Sequence, residues 1–254
     1  MLLFTIIFVA FGLAMWVAAG VLFYFRRRQL RKTKYMGRIE TTNASDVSSL
    51  APGTPVEVKG TLRCAEPIES EMAKRPCAYY ISKVIREYQD TDREADGDLE
   101  TRRRSEVVSS NEQFAPFIVE DTSGMVGVRG EGAEVDALEV VNRFEKDTGG
   151  GPGISLGGLT VDFGERERTI GYRYTESILP IDAPVYVLGA VTQDRKIGDV
   201  SDGEGHFLIS HRSEKQLGKK YKRDALVLTL VAAGLFLFGA AFLGTGVAAA
   251  LGAI

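Results

Sequence analysis

Residues able to do metal or nucleophilic chemistry are few. Cys64, Cys77, His206 and His211 are all the cysteines and histidines that the 254-residue sequence contains. A structural zinc site needs four such ligands in closely spaced local pairs. The histidines stand five residues apart, an odd interval that puts them on opposite faces of a strand, and the cysteines form no C-x-x-C pair. There is no Gly-x-Ser-x-Gly elbow, and neither thiol has a histidine close in sequence. The expectation is therefore no catalytic, cofactor-binding or metal-ligating residue. Two buried thiols are the default for a cytoplasmic domain, with a Cys64–Cys77 disulfide left open. The competing reading is a hydrolase or transferase assembled from non-local residues such as Cys77, His206 and Asp121.

Other polar residues point to recognition or architecture. Glu120 and Asp121 have the chemistry of an acid–base pair, but Asp121 with Thr122, Ser123 and Gly124 is the composition of a β-turn, the Asp capping it and the Gly ending it. In "GYRYTE", Tyr172 and Tyr174 share one face of a strand while Arg173 and Thr175 share the other. The tyrosines are expected to pack in the core and Arg173 to pair with an acid such as Glu176 or Asp121; a ligand-reading role is the alternative. Arg75, Asp121, Tyr172, Arg173, Tyr174 and Glu176 thus form the candidate interaction or structural motif.

These residues lie between two apolar runs. Residues 1–25 and 225–254 carry no charge, and about 20 apolar residues suffice to cross a ~30 Å hydrocarbon core. No Lys or Arg precedes the first run, so it reads as an uncleaved anchor and not as a signal peptide. Arg26, Arg27, Arg28, Arg31, Lys32 and Lys34 follow the first run; Lys215, Lys219, Lys220, Lys222 and Arg223 precede the second. By the positive-inside rule the middle domain is cytoplasmic and both termini lie across the membrane. The same basic collars suit anionic lipid headgroups. A net charge of −3 is too mild to point to a polyanionic partner, and no nucleic acid is expected. Small residues recur every four positions, as Ala240, Gly244, Ala248 and Gly252 in the second run and Ala10, Ala14 and Ala18 in the first. Such stripes align on one helix face and predict close packing of the two spans or of subunits.

The expected organisation is a span over 1–25, a basic juxtamembrane linker over 26–52, a β-domain over 53–212, a basic helical connector over 213–224 and a second span over 225–254. A short helix is expected around 46–50. "TPVEVKGTLRC" alternates, with Val56, Val58 and Leu62 to one side and Gly60 at a bulge or bend. "PCAYYISKVIREY" follows as a second strand, then "QDTDREADGDLETRRR" as a solvated hairpin loop. "FAPFIVEDTSGMVGVRG" reads as strand, turn, strand; 138–144 reads as strand; "TGGGPGISLGG" reads as a flexible connection. "RTIGYRYTESIL", "APVYVLGAVTQ" and "HFLISH" complete about seven short strands, so the fold class is mainly β, a small OB-like barrel or sandwich bracketed by two transmembrane helices. Ser213 and Gln216 form a capping box at the start of one helix running into the second span.

Four stretches, in order, resemble the GIDE domain: "RPCAYY" (75–80), "FIVEDTSGMVGV" (117–128), "GYRYTESILPIDAPVYVLGAV" (171–191) and "FLISHRSEKQL" (207–217). That domain is the middle region of Mulan-type mitochondrial ubiquitin ligases and of their prokaryotic and plant relatives. The resemblance implies a domain beside the membrane that binds proteins or regulates. In those ligases a zinc-binding RING after the second span carries ubiquitin transfer; this sequence reaches Ile254 with no such segment, so the transfer chemistry has no residues to fall on. The implied role is a protein-interaction or regulatory module at the bilayer, with an unspecified protein partner and homo-oligomerisation possible.

Overall fold

The structure is a computed structural model that describes residues 2–93, 99–147, 153–156, 159–162, 167–199 and 206–250. Two compact units divide the chain. One comprises Met1–Thr41, Asp202–His206 and Arg212–Ile254; the other comprises Thr42–Ser201 and Phe207–His211.

The β unit is built on a closed ring. Strands β1 (Pro55–Arg63), β2 (Ile68–Glu69), β3 (Pro76–Arg93), β4 (Leu99–Phe114), β5 (Phe117–Glu120), β6 (Met125–Val128) and β7 (Glu134–Asp136) come first. Then come β8 (Leu138–Lys146), β9 (Gly153–Leu156), β10 (Leu159–Asp162), β11 (Glu167–Pro180), β12 (Pro184–Val191), β13 (Ile197–Gly198) and β14 (Leu208–Ser210). Hydrogen bonding runs β1–β5–β6–β13–β12 and returns from β12 to β1, a five-stranded barrel that β14 and β7 extend. Val56, Val58 and Leu62 alternate into its interior, joined by Phe117, Val119, Val126, Val128, Val185, Val187, Val191 and Ile197 in one buried cluster. Each such side chain removed from water contributes about 1.5–3 kcal/mol.

Two glycines let strands change partner. Just after Gly60, at Thr61, β1 ends its pairing with β12 and takes up β5, and a Cβ on Gly60 would stand 2.3 Å from the Glu120 carbonyl oxygen. Gly189 lies where β12 is flanked by β1 and β13; its Cβ would fall 2.6 Å from the Gly198 carbonyl oxygen. The shared valine–glycine pattern of the two strands is thus the local requirement of a tightly coiled barrel.

A second sheet is built from strands longer than expected. Strands β3, β4 and β11 span 18, 16 and 14 residues, well beyond the short strands the turn spacing suggested. β11 lies between β3 and β8, and β2 and β4 pair with β3. In the "QDTDREADGDLETRRR" segment, residues 89–93 and 99–104 are strand, and 94–98 lie outside the described residues: Gln89 opposes Arg103, Asp90 opposes Arg102, and Arg104 reaches the Asp90 carboxylate at 3.1 Å. Acidic and basic halves attract across the hairpin, which keeps a polar sequence extended. Within "TGGGPGISLGG", Gly153–Leu156 is β9, which pairs with β10 just beyond the stretch, and the remainder lies outside the described residues.

The short helix expected at 46–50 is a single 3-10 turn, Val47–Ser49. Ala44 and Val47 bury against the barrel cluster.

The helical unit is an antiparallel hairpin of α1 (Leu2–Met36) and α2 (Glu214–Ala250). Both are long and apolar enough to cross a membrane. α1 continues through the basic residues to Met36, so residues 26–36 of the juxtamembrane segment are helical. Arg and Lys are good helix formers, and nothing in that segment stops the helix. α2 starts as the capping box requires, with the Ser213 N–H donating to Gln216 Oε1 at 3.0 Å, and runs unbroken into the apolar segment.

Candidate functional site

β11 lies inside the second sheet, between β3 and β8, and carries a charged residue on each face. Glu176 is fully buried. Its carboxylate accepts the N–H groups of Met72 and Ala73, each at 2.7 Å, and the Ser82 hydroxyl at 3.0 Å. Burial opposes its charge more than any other single influence, but these bonds, with one from Ser70, together hold the carboxyl below the usual carboxylate range. Glu176 therefore pins the 70–75 loop to the sheet; it is an anchor and not a ligand reader.

Arg173 lies on the opposite face and pairs with Glu87, at 2.9 Å from Nε and 2.8 Å from the terminal nitrogen. It also donates to Asn142 and covers the Phe144 ring. The expected partner class was right, but neither Glu176 nor Asp121 is the acid. Strand register decides this: Arg173 is cross-strand from Ile85 and Phe144, so Glu87 is its diagonal neighbour. Tyr172 and Tyr174 are half-buried on the sheet and are not members of the barrel core; Arg143 stacks on Tyr174. Arg75 is exposed, held through its backbone to Ser70.

Asp121 is consumed by its turn. One oxygen accepts the N–H groups of Ser123 and Gly124 and the Ser123 hydroxyl; the other accepts the Ala44 N–H at 2.8 Å. Burial again opposes the charge, and the four donors outweigh it, leaving the carboxyl below its ordinary value.

Two buried charged residues were missed in the sequence. Arg86 is buried on β3, bonded to Thr169 and Glu106 and stacked 4.5 Å from the Tyr88 ring centre. Glu57 is buried on β1, with the Tyr186 hydroxyl at 2.8 Å and the Lys59 ammonium at 2.9 Å. A signal existed for Arg86: it shares the strand phase of Val84 and Tyr88, an inward position for a charge.

Cys77 is a poor nucleophile. It is fully buried, its thiol points at the Ile68 carbonyl oxygen, and desolvation pushes its pKa up to about 11, the reverse of what activation needs. Both cysteines are free thiols. His211 bonds to the Asp136 carbonyl oxygen. Among the described residues no group of three or more His, Cys, Asp or Glu side chains is placed to hold a metal ion.

On the helical hairpin, Arg26 donates to the Thr229 hydroxyl at 2.7 Å, and Arg26 and Arg27 both lie over the Phe23 ring. Arg28 is exposed on α1 and Lys222 on α2. Arg212, Gln216, Lys219, Lys220 and Arg223 line a recess of about 400 Å³ on the first turns of α2. The small-residue stripe is misplaced for pairing the two spans: Ala240 and Gly244 are exposed, Gly252 lies outside the described residues, and a Cβ on Gly244 would meet nothing within 4 Å. Helix contact instead runs through Gly12, Gly239 and Gly246, whose added Cβ atoms would stand 2.7 Å from Leu243, 2.7 Å from Trp16 and 3.0 Å from Val9 respectively. Gly239 and Gly246 are seven residues apart, the interval that returns a side chain to the seam between two paired helices. Gly239→Leu is expected to abolish disulfide crosslinks between cysteines placed on facing positions of α1 and α2, while Gly244→Leu leaves them unchanged. Crosslinking yield in membranes reads both.

The barrel with its flanking polar sheet, followed by a helix into the second apolar segment, coincides with a known family. The sequence model described as GIDE, E3 ubiquitin ligase, matches residues 87–245. That span begins within β3, so the "RPCAYY" stretch precedes it, while the other three stretches lie inside it. No curated protein and no solved structure matches the chain. With well over half of its length matched, the chain belongs to the GIDE family.

Proposed function

We propose that the chain is a two-span membrane protein that presents its β-domain on the cytoplasmic side as a protein-interaction or regulatory module. The observation that carries this reading is the second sheet. Glu176, Arg173 and Arg86 are committed to internal bonds, yet its outermost strands leave an edge open. Among the described residues β4 pairs only with β3, and β8 only with β11. Val107 on β4 is 57 % exposed. Unpaired strand edges are templates for a strand from a partner, and a second copy of the chain belongs to the same partner class. The basic collars support the cytoplasmic placement and an anionic bilayer surface beside them.

The family description concerns ubiquitin ligation. Within that setting the β-domain recruits or regulates; Cys77 and the described His, Cys, Asp and Glu residues offer no support for transfer chemistry of their own. A photo-crosslinking amino acid at Val107 tests the module in native membranes. The expected result is a discrete crosslinked protein from position 107 and none from Met125, which is equally exposed (62 %) but lies on a barrel strand. Equal labelling at both sites, or none at 107, removes the reading.

A further inference from the structure

A groove of about 580 Å³ runs between the two helices of the hairpin, within the ~300–1,000 Å³ range of small-molecule pockets. Trp16 and Phe236 stack at 5.2 Å to close one end. Phe23 stands at the other, and Gly20 and Ala233 leave the middle without bulk. The wall is almost wholly carbon. Its polar side-chain atoms are already used: the Trp16 indole N–H donates to the Phe236 carbonyl oxygen, and the Thr229 hydroxyl donates to Ala225 and accepts from Arg26. A polar ligand would find nothing to bond inside; a hydrocarbon chain loses nothing.

The Phe23 end is different. The Arg26 and Arg27 guanidinium groups stand 5.3 and 4.9 Å from the Phe23 ring centre, so two cations border the mouth of a carbon-lined slot. From Trp16 to Phe23 the helix rises about 10 Å, within the ~15 Å that one leaflet's hydrocarbon occupies. Guanidinium groups bind phosphate strongly because their planar donors match its oxygens.

We infer that this groove is a binding site for one anionic phospholipid of the leaflet on the basic side. An acyl chain lies between Trp16 and Phe23, and the phosphate meets Arg27 and Arg26. The inference rests on the membrane-spanning reading of the hairpin. Gly20 gives a clean probe, since a Cβ added there meets nothing within 4 Å. Gly20→Leu adds bulk to a wall of the groove from a Cβ that itself meets no neighbour.

The test uses the full chain reconstituted in vesicles of phosphatidylglycerol and phosphatidylcholine in equal amounts, extracted in mild detergent and weighed by native mass spectrometry. The wild type should retain one phosphatidylglycerol in preference to phosphatidylcholine. Gly20→Leu should lower retention of that lipid about tenfold, and Arg27→Gln should remove the headgroup preference by a similar factor. Retention unchanged in both variants, or equal retention of the two lipids by the wild type, overturns the site. So does a dimer mass that Gly20→Leu abolishes, since the groove then holds a second copy. Alkaline carbonate extraction before reconstitution separates the two failures. A chain released from native membranes by carbonate contradicts the spanning reading itself, whereas a chain that stays embedded and shows no lipid preference contradicts only the site.

Discussion

Glu176→Ala is expected to lower the thermal midpoint of the β unit by roughly 6–12 °C, equivalent to about 3 kcal/mol at this domain size. The carboxylate is fully buried and receives the N–H groups of Met72 and Ala73 and the Ser82 hydroxyl. Its removal leaves those donors without their acceptor, and each group stranded in the buried site costs about 1–3 kcal/mol before relaxation. Glu176→Gln does not rescue the site, because one oxygen becomes an NH₂ that meets a backbone N–H donor to donor. The acid limb of the stability curve supplies a second readout. The folded carboxyl sits below its ordinary value of 4.5, so the unfolded chain takes up the proton first. The stabilisation is complete above pH 4.5 and is lost as pH falls through the lower folded value. Thermal scans by circular dichroism across that acid range should show Glu176→Gln with a shallower pH dependence than wild type. An identical slope would mean that Glu176 is not the anchored carboxylate described above.

Gly60→Ala should be at least as damaging, at about 4 kcal/mol. The added Cβ would stand 2.3 Å from the Glu120 carbonyl oxygen and 2.7 Å from Val119 Cγ1. The nearer obstacle is backbone, which cannot swing aside as a side chain can, so the seam between β1 and β5 must open. Gly218→Ala is the matched control. Its Cβ meets nothing within 4 Å, and alanine is the better helix former by about 0.5–1 kcal/mol. Denaturant unfolding of the full chain should place the two variants on opposite sides of wild type. A Gly60→Ala protein with wild-type stability would contradict the barrel closure.

What was legible in the sequence is what local chemistry enforces. Asp121 to Gly124 could only be a turn, because an aspartate that caps its own backbone and a terminal glycine suit nothing else as well. Val56, Val58 and Leu62 announced their common side by alternation. The length of the second sheet's strands was hidden because their stability is cross-strand: "QDTD" and "TRRR" look like solvated loops until one lies against the other. Arg173 could be given a partner class from its strand phase but not a partner, since Glu87 is chosen by a register set between residues 86 apart in the chain. The apolar spans were plain, but their contact was not. Four-residue spacing marks a helix face without saying which way that face looks, and the actual seam uses Gly12, Gly239 and Gly246. Arg86 was overlooked although its inward phase was visible.

Central to the account is a membrane hairpin whose β-domain stands on the basic, cytoplasmic side. Fusing after Ile254 a fluorescent protein that matures only in the cytoplasm, and in a second chain inserting it at Gly97 between β3 and β4, tests this directly. The account predicts a dark C-terminal fusion and a bright insertion at equal expression. A bright C-terminal fusion with a dark insertion would contradict it.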